Sequence, residues 1–242
     1  MPPRTDCRIA GRSAAWALAG LAALSLALPA RAGRPLATED APTLAQHDCE
    51  AQLLFGRLSE SGQATTRTGN VDLGCGIGWN TQVNLNLGRT SDGSQRSNSL
   101  ALAGKTAVVA GSDSSPGWTV AYGLAAERSP GRSLALENEW ITGVMSWPLS
   151  QALALHANLG WQHSRSAARD STLWAVALEH SGSAGLDWTA ELYATDRDSA
   201  PWLQLGLRWT LQPERWSLNA SWARQTTGGR PTALTLGGLL KF

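Results

Sequence analysis

The chain has 242 residues, room for one large β domain or two small ones, and only 16% of them are charged, against roughly 25% in ordinary soluble domains. Basic and acidic residues nearly balance, 20 against 19, so nothing in the charge points to nucleic acid as a partner. The aromatic content is skewed: Trp is 12, while Phe and Tyr are 2 each.

At the N-terminus, Arg4, Arg8 and Arg12 precede an apolar run from Ala14 to Leu28, and Ala30-Arg31-Ala32 has the small-x-small form of a cleavage site. This predicts a secretory signal peptide over residues 1–32, cleaved near Ala32, since the run is shorter than the roughly 20 apolar residues of a membrane span. Cleavage leaves 16 basic and 18 acidic residues, a net charge of −2, and removes Cys7. The remaining Cys49 and Cys75 suit a disulfide in an oxidising compartment, with two inert thiols as the alternative. No cysteine follows the cleavage site, so a lipid anchor is not expected. Residues 33–48, rich in Pro, Ala, Thr and Asp and without a period, read as a flexible periplasmic lead-in.

From Cys49 to Phe242 the chain divides into about twelve short runs, at 50–58, 70–79, 81–90, 98–109, 118–127, 133–146, 151–163, 171–180, 186–196, 201–211, 216–226 and 232–242. Most have the roughly 9–11 residues of a tilted membrane-spanning strand. Alternation is explicit in Val71, Leu73, Cys75, Ile77 and Trp79, in Leu153, Leu155, Leu159 and Trp161, and in Leu203, Leu205, Leu207, Trp209 and Leu211. Each run therefore has one apolar face and one face of Asn, Gln, Thr, Ser, Gly and a few charges. The apolar face is either the core of a sandwich or the lipid side of a barrel.

Three patterns select the barrel. With odd runs ascending from the periplasm, Trp79, Trp118, Trp147, Trp188, Trp209 and Trp216 fall near the periplasmic ends. Trp161, Trp174, Trp202 and Trp222 fall toward the outer ends, and only Trp140 lies mid-strand. Two aromatic girdles suit two lipid–water boundaries. Eleven of the 16 mature basic residues sit in or beside the outer loops, where an arginine rim would bind lipopolysaccharide phosphates. Arg96, Arg128, Arg132, Arg165, Arg169, Arg197 and Arg230 are the rim candidates, with solvated loop charge as the alternative. Finally, the sequence ends on a regular strand, TALTLGGLLKF, whose terminal Phe242 resembles the signal read by the outer-membrane barrel assembly machinery. A last strand in hydrocarbon must pair with the first. The expectation is an all-β, transmembrane, up-and-down antiparallel β-barrel of about 12 strands over residues 49–242, in the bacterial outer membrane.

The motifs Cys49-Glu50-Ala51, Cys75-Gly76-Ile77-Gly78-Trp79, TQVNLNLG (Thr81 to Gly88), Ala121-Tyr122-Gly123-Leu124, LHANLGW (Leu155 to Trp161) and PWLQLGLRWTL (Pro201 to Leu211) carry a further signal. Together they resemble the outer-membrane transporter barrels of the phenol (meta-pathway) degradation family, over most of Cys49 to Phe242. The resemblance implies passage of small solutes, aromatic ones among them, and carries over no set of binding residues.

The polar parity nominates Asn84, Asn86, Lys105, Glu137, Glu139, His156, Asn158, Glu179, Asp187, Glu191 and Arg208 as lumen-lining. Their acidic excess would favour cations or neutral solutes in a narrow pore, since twelve strands lie between a filled eight-stranded barrel and a wide porin. The alternative is a closed, hydrogen-bonded interior, although the short outer loops supply little to plug it. A lipid hydrolase would need a Ser–His pair on the lipid-facing wall. His163 is the nearest candidate there, but Ser171 falls on the opposite face and no orienting Asn or Asp is evident. His47, His156 and His180 make no metal-ligand spacing, and Gly74, Gly76 and Gly78 relieve crowding on one strand face. The expectation is a non-enzyme without cofactor or metal, the other possibilities being the hydrolase and a non-transporting structural barrel.

Overall fold

The computed structural model describes residues 36–93, 95–213 and 215–242; the signal peptide expected over 1–32, with Cys7, lies outside them. Twelve strands occur among the described residues: β1 Cys49–Ser59, β2 Thr66–Gly78, β3 Thr81–Asp92, β4 Gln95–Val109, β5 Gly117–Arg128, β6 Ala135–Pro148, β7 Leu153–Ser164, β8 Arg169–Ser181, β9 Leu186–Thr195, β10 Trp202–Gln212, β11 Trp216–Gln225 and β12 Thr232–Lys241. Each pairs antiparallel with its sequence neighbours, and β1 pairs with β12 to close the barrel. At the seam, Cys49 and Phe242 exchange backbone hydrogen bonds of 2.8 Å in both directions, so the final residue is tied down by the first strand.

The termini lie at one end, here the terminal end, with the β2–β3, β4–β5, β6–β7, β8–β9 and β10–β11 connections; the other connections lie at the far end. A two-residue turn joins β2 to β3 through Trp79 and Asn80, both at positive φ, as a hairpin of the right twist requires. Cys49 stands directly opposite Cys75 in the β1–β2 ladder, and the two are joined in a disulfide.

Alternation assigns the two faces. The exterior carries a belt of exposed Leu, Val, Ile and Trp, including Leu53, Leu73, Leu85, Leu102, Leu159, Leu205 and Leu236. The interior carries Gln52, Asp72, Gln82, Asn84, Thr119, Gln204 and Asn219, all buried. This is an inside-out distribution relative to a soluble sandwich, and it matches what hydrocarbon outside and a polar lumen inside demand. Trp202 departs from the expected outer girdle: it and the mid-strand Trp140 occupy inward positions on β10 and β6 and are buried. Trp140 packs with Ala101, Ala103 and Ala125, and its ring fills the space that a side chain at Gly123 would take.

Of the segment expected as a flexible periplasmic lead-in, residues 36–44 instead lie in the barrel interior. From Asp48 the chain turns inward past β2, with His47 N–H bonded to Gly76 O (3.1 Å) and Gly76 N–H to Asp48 O (2.9 Å). Residues 36–44 then run inside the lumen, where Leu36, Thr38, Glu39 and Ala41 are buried. Gly76 has a specific reason to be glycine: a β-carbon there would collide with the carbonyls of Leu44 and Ala45, where this strap enters. The plug that the outer loops are too short to provide comes from the N-terminal side.

Candidate functional site

The lumen is the site, and its walls were partly legible. Asn84, Asn86, Lys105, His156, Asn158, Glu179, Asp187, Glu191 and Arg208 occupy inward positions. Glu137 and Glu139 do not. A β-bulge between Ala125 and Ala126 leaves Glu137 opposite no β5 residue, and it turns to the far rim, accepting from Ser164 Oγ (3.0 Å) and from the Ser166 hydroxyl. Glu139 lies on the outward row opposite Leu124 and pairs with Arg165 at 3.1 Å. The pattern misled because the true inward row of β6 is the apolar-looking one, with Asn138, Trp140, Thr142 and Val144.

Most inward polar groups serve the strap. Glu191, 2% exposed, accepts from Ala37 N–H (2.5 Å), Thr38 N–H (2.8 Å) and Thr38 Oγ1–H (2.7 Å), and also from Gln204 Nε2. Asn158 clamps Glu39, accepting its N–H at 2.6 Å and donating to its carbonyl at 3.0 Å. Lys105, 3% exposed, donates to Asp40 Oδ1 (2.8 Å) and to the Asp40 carbonyl (3.2 Å). Ala41 N–H donates to Ser146 Oγ (2.8 Å), its carbonyl accepts from Thr119 Oγ1 (2.6 Å), and its methyl packs on Ala121 and Val144. Leu44 N–H donates to Gln82 Oε1 at 3.1 Å. An extended chain in a pore cannot use a β ladder, so its backbone groups are satisfied by side chains.

Beside the strap runs a charged chain. Ser146 Oγ accepts from Ala41 N–H and stands 2.7 Å from His156 Nδ1 in a second hydrogen bond. Nε2 stands 3.4 Å from Glu179 Oε2. Arg208 joins Glu179 to Asp187, with Nε and Nη2 at 3.0 and 2.9 Å from Asp187 Oδ2. On the opposite wall Asp72 accepts from Asn84 (2.6 Å) and Asn86 (3.3 Å). Gln82, Thr119, Ser146 and Gln204 were missed by the sequence reading. For Gln82 the signal was present, in its parity with Asn84 and Asn86.

The strap lies between two cavities. One, of about 420 Å³ at the terminal end, is lined by Asp40, Pro42, Thr43, Gln82, Asp187 and Arg208. The other, of about 430 Å³ at the far end, is lined by Ala37, Leu58, Gln162, Leu173, Tyr193 and Trp202, with Arg169 and Arg197 also on its wall. The two share no lining residue among those described. In the far cavity the rings of Tyr193 and Trp202 lie parallel, with centroids 6.3 Å apart and planes 7° apart.

The rim arginines are at the far end but in different circumstances. Arg165 is held by Glu139, and Arg197 pairs with Asp196 (3.4 Å) and donates to the Asp170 carbonyl. Arg169 lines the far cavity. Arg132 and Arg230 lie in loops, and Arg96 and Arg128 are exposed on β4 and β5. One negative from the sequence needs correcting: His163 does have an orienting acid on its own wall, since Asp170 lies opposite it across the β7–β8 ladder with Oδ1 2.7 Å from Nδ1. No serine or threonine hydroxyl bonds to that imidazole among the described residues, and Ser171 lies on the inward row.

Over residues 27–242 the sequence matches the profile of a family described as uncharacterised conserved protein UCP029691. No curated protein matches it. Among solved structures, the barrel is similar to a COG4313 outer membrane channel from Pseudomonas putida F1, with a TM-score of 0.60 at 11% identity over 84% of this chain and 98% of that one. It is also similar to the KdgM porin in complex with disordered oligogalacturonate (TM-score 0.59, 10% identity, 79% and 99%) and to the NanC porin (0.57, 12%, 79% and 100%). At these identities the likeness establishes the fold, that of outer-membrane barrels.

Proposed function

We propose that this chain, which belongs to the UCP029691 family, is an outer-membrane channel for small solutes, narrowed by its own N-terminal segment. The observation that carries the reading is a polar lumen whose two cavities lie on either side of residues 37–44. A barrel built only for structure has no need to hold a strap by side-chain hydrogen bonds while leaving vestibules of this size at both ends. The fold likeness to channels and porins supports the same reading. In this arrangement the signal peptide is cleaved near Ala32, the terminal end faces the periplasm, and Phe242 is presented to the assembly machinery.

Aromatic solutes are the preferred cargo. The far cavity offers Leu58 and Leu173 beside the Tyr193–Trp202 pair, and the Trp202 indole N–H, in a residue 5% exposed, has no hydrogen-bond partner among the described residues. A flat solute with one polar acceptor fits such a wall. The resemblance of the strand motifs to phenol-degradation barrels supports the same class.

The test is single-channel recording of the refolded mature protein in planar bilayers, beside a variant lacking residues 33–44. Small steps from the intact chain and larger ones from the shortened chain are expected, with benzoate-sized solutes blocking more strongly than aliphatic anions of equal charge. Silence from both, in barrels whose migration still changes on boiling, refutes the channel.

A further inference from the structure

The far rim is unevenly charged. Some of its outward charges are answered within the chain: Arg165 by Glu139 and His163 by Asp170 on β6–β8 and their joining loop, Arg197 by Asp196 in the β9–β10 loop. On β1–β5 they are not. Arg57, Arg67, Arg89, Arg96 and Arg128 are all exposed and all occupy outward positions. Arg57 stands directly across from Arg67. Ser91 alone separates Arg67 from Arg96 across the sheet, and Asn98 alone separates Arg89 from Arg128. None of the five makes an ion pair among the described residues. Like charges directly opposite each other oppose strand pairing, so the arrangement calls for an anion from outside.

What lies beside them narrows the class of anion. Moving toward the terminal end, each outward row turns apolar within two positions: Phe55 and Leu53 on β1, Val71 and Leu73 on β2, Leu87 and Leu85 on β3, Leu100 and Leu102 on β4, Leu124 on β5, all exposed. A row of guanidinium groups above a continuous apolar wall has the polarity of an anionic lipid, head over tails. We propose that the β1–β5 face binds a phosphorylated glycolipid of the outer leaflet, its phosphates on these arginines and its acyl chains along the rows below. Guanidinium groups match phosphate oxygens in paired hydrogen bonds, and an exposed pair at the rim of a hydrocarbon layer is only partly hydrated. A nucleic acid or an acidic peptide would satisfy the arginines and leave the apolar rows uncovered. The inference rests on the reading of the far end as the outward-facing rim of an outer-membrane channel.

The experiment titrates the refolded full-length mature protein, in detergent, with bisphosphorylated lipid A, dephosphorylated lipid A, phosphatidylglycerol and inorganic phosphate, and reads complexes by native mass spectrometry. Bisphosphorylated lipid A is expected to be retained and the dephosphorylated form lost. The R57Q/R67Q variant should bind about tenfold more weakly, the loss of one charge-assisted hydrogen-bond contribution. R165Q/R197Q, on the self-paired half, should bind as the parent does. Equal binding by R57Q/R67Q, retention of dephosphorylated lipid, or equal affinity for inorganic phosphate or phosphatidylglycerol overturns the proposal. If R57Q/R67Q does not fold, the dephosphorylated arm on the parent protein decides alone. A barrel that conducts but ignores lipid A sinks this inference and leaves the channel; one that binds lipid A but never conducts does the reverse.

Discussion

Glu191→Gln is the sharpest probe of the strap. The substitution keeps the size of the side chain and removes its charge from a carboxylate that accepts two strap N–H groups and one strap hydroxyl. Hydrogen bonds to charged groups contribute about 1.5–3 kcal/mol net, and Gln keeps one acceptor oxygen while turning an NH₂ group toward donors. Losing one such contribution shifts the equilibrium between strap in and strap out by about 10- to 150-fold. Two assays read the shift. Leu36 is 1% exposed, so a Leu36→Cys reporter should be nearly inert to a bulky thiol reagent in the parent barrel and label faster by that factor when Glu191→Gln is added. Open-channel dwell times should lengthen in parallel, while the temperature at which the barrel loses its fast gel migration stays put, because no ladder hydrogen bond has been touched. Unchanged labelling and unchanged dwell times in a folded variant would mean that the strap is fixed by something other than these bonds.

Further outcomes follow from single contacts. Cys49→Ser, or reductant, removes a bridge closing 26 residues and should lower barrel stability by roughly 3 kcal/mol in the chain-entropy account, read as an earlier heat transition on gels. Gly76→Val should expel the strap at its entry, because its side chain meets the Leu44 and Ala45 carbonyls; conductance should rise to that of the shortened chain, and an unchanged conductance would contradict the steric argument. Trp202→Ala should weaken block by an aromatic solute about three- to tenfold, from the loss of about 0.5–1.5 kcal/mol of ring contact, and leave block by aliphatic anions alone. Arg208→Met strips the cation from Glu179 and Asp187 and should raise cation over anion permeability, measured as a reversal potential in a salt gradient.

The wall was legible because a strand in a barrel obeys one rule, period-2 alternation, and that rule survives without any tertiary knowledge. It put Asn84, Asn86, His156, Asn158, Glu191 and Arg208 on the strand face that turns inward. It failed on β6, where a bulge shifts the phase near Glu137 and where Trp140 and Val144 face inward to meet Ala125 and the strap. Alternation cannot see a bulge, nor an interior that is locally apolar because another segment is seated there. The strap itself left no periodic trace. Residues 36–44 form neither helix nor strand, and their order comes from bonds to side chains more than a hundred residues away, such as Glu39 to Asn158. Only Gly76 hinted at it, and a glycine in a strand has several ordinary causes.

The same side chains cannot serve two masters at once. A lumen lined by free carboxylates, amides and an ammonium group would be hydrated and conducting, and its selectivity would follow from its charges. Here Lys105, Asn158 and Glu191 spend their hydrogen bonds on the strap, so the charges that a permeating solute meets are those on the cavity walls: Asp40, Glu50, Asp187, Arg208, Arg215 and Lys241 at the terminal end, Glu60, Asp198, Arg169 and Arg197 at the far end. Both vestibules thus carry charges of both signs, and what sets the far one apart is the parallel Tyr193–Trp202 pair on its wall. A solute entering from the far end meets that aromatic pair before the strap, whereas displacing the strap would expose Lys105 and Glu191 between the two vestibules. Selectivity measured with the strap in place and with residues 33–44 removed should therefore differ in kind, not only in current.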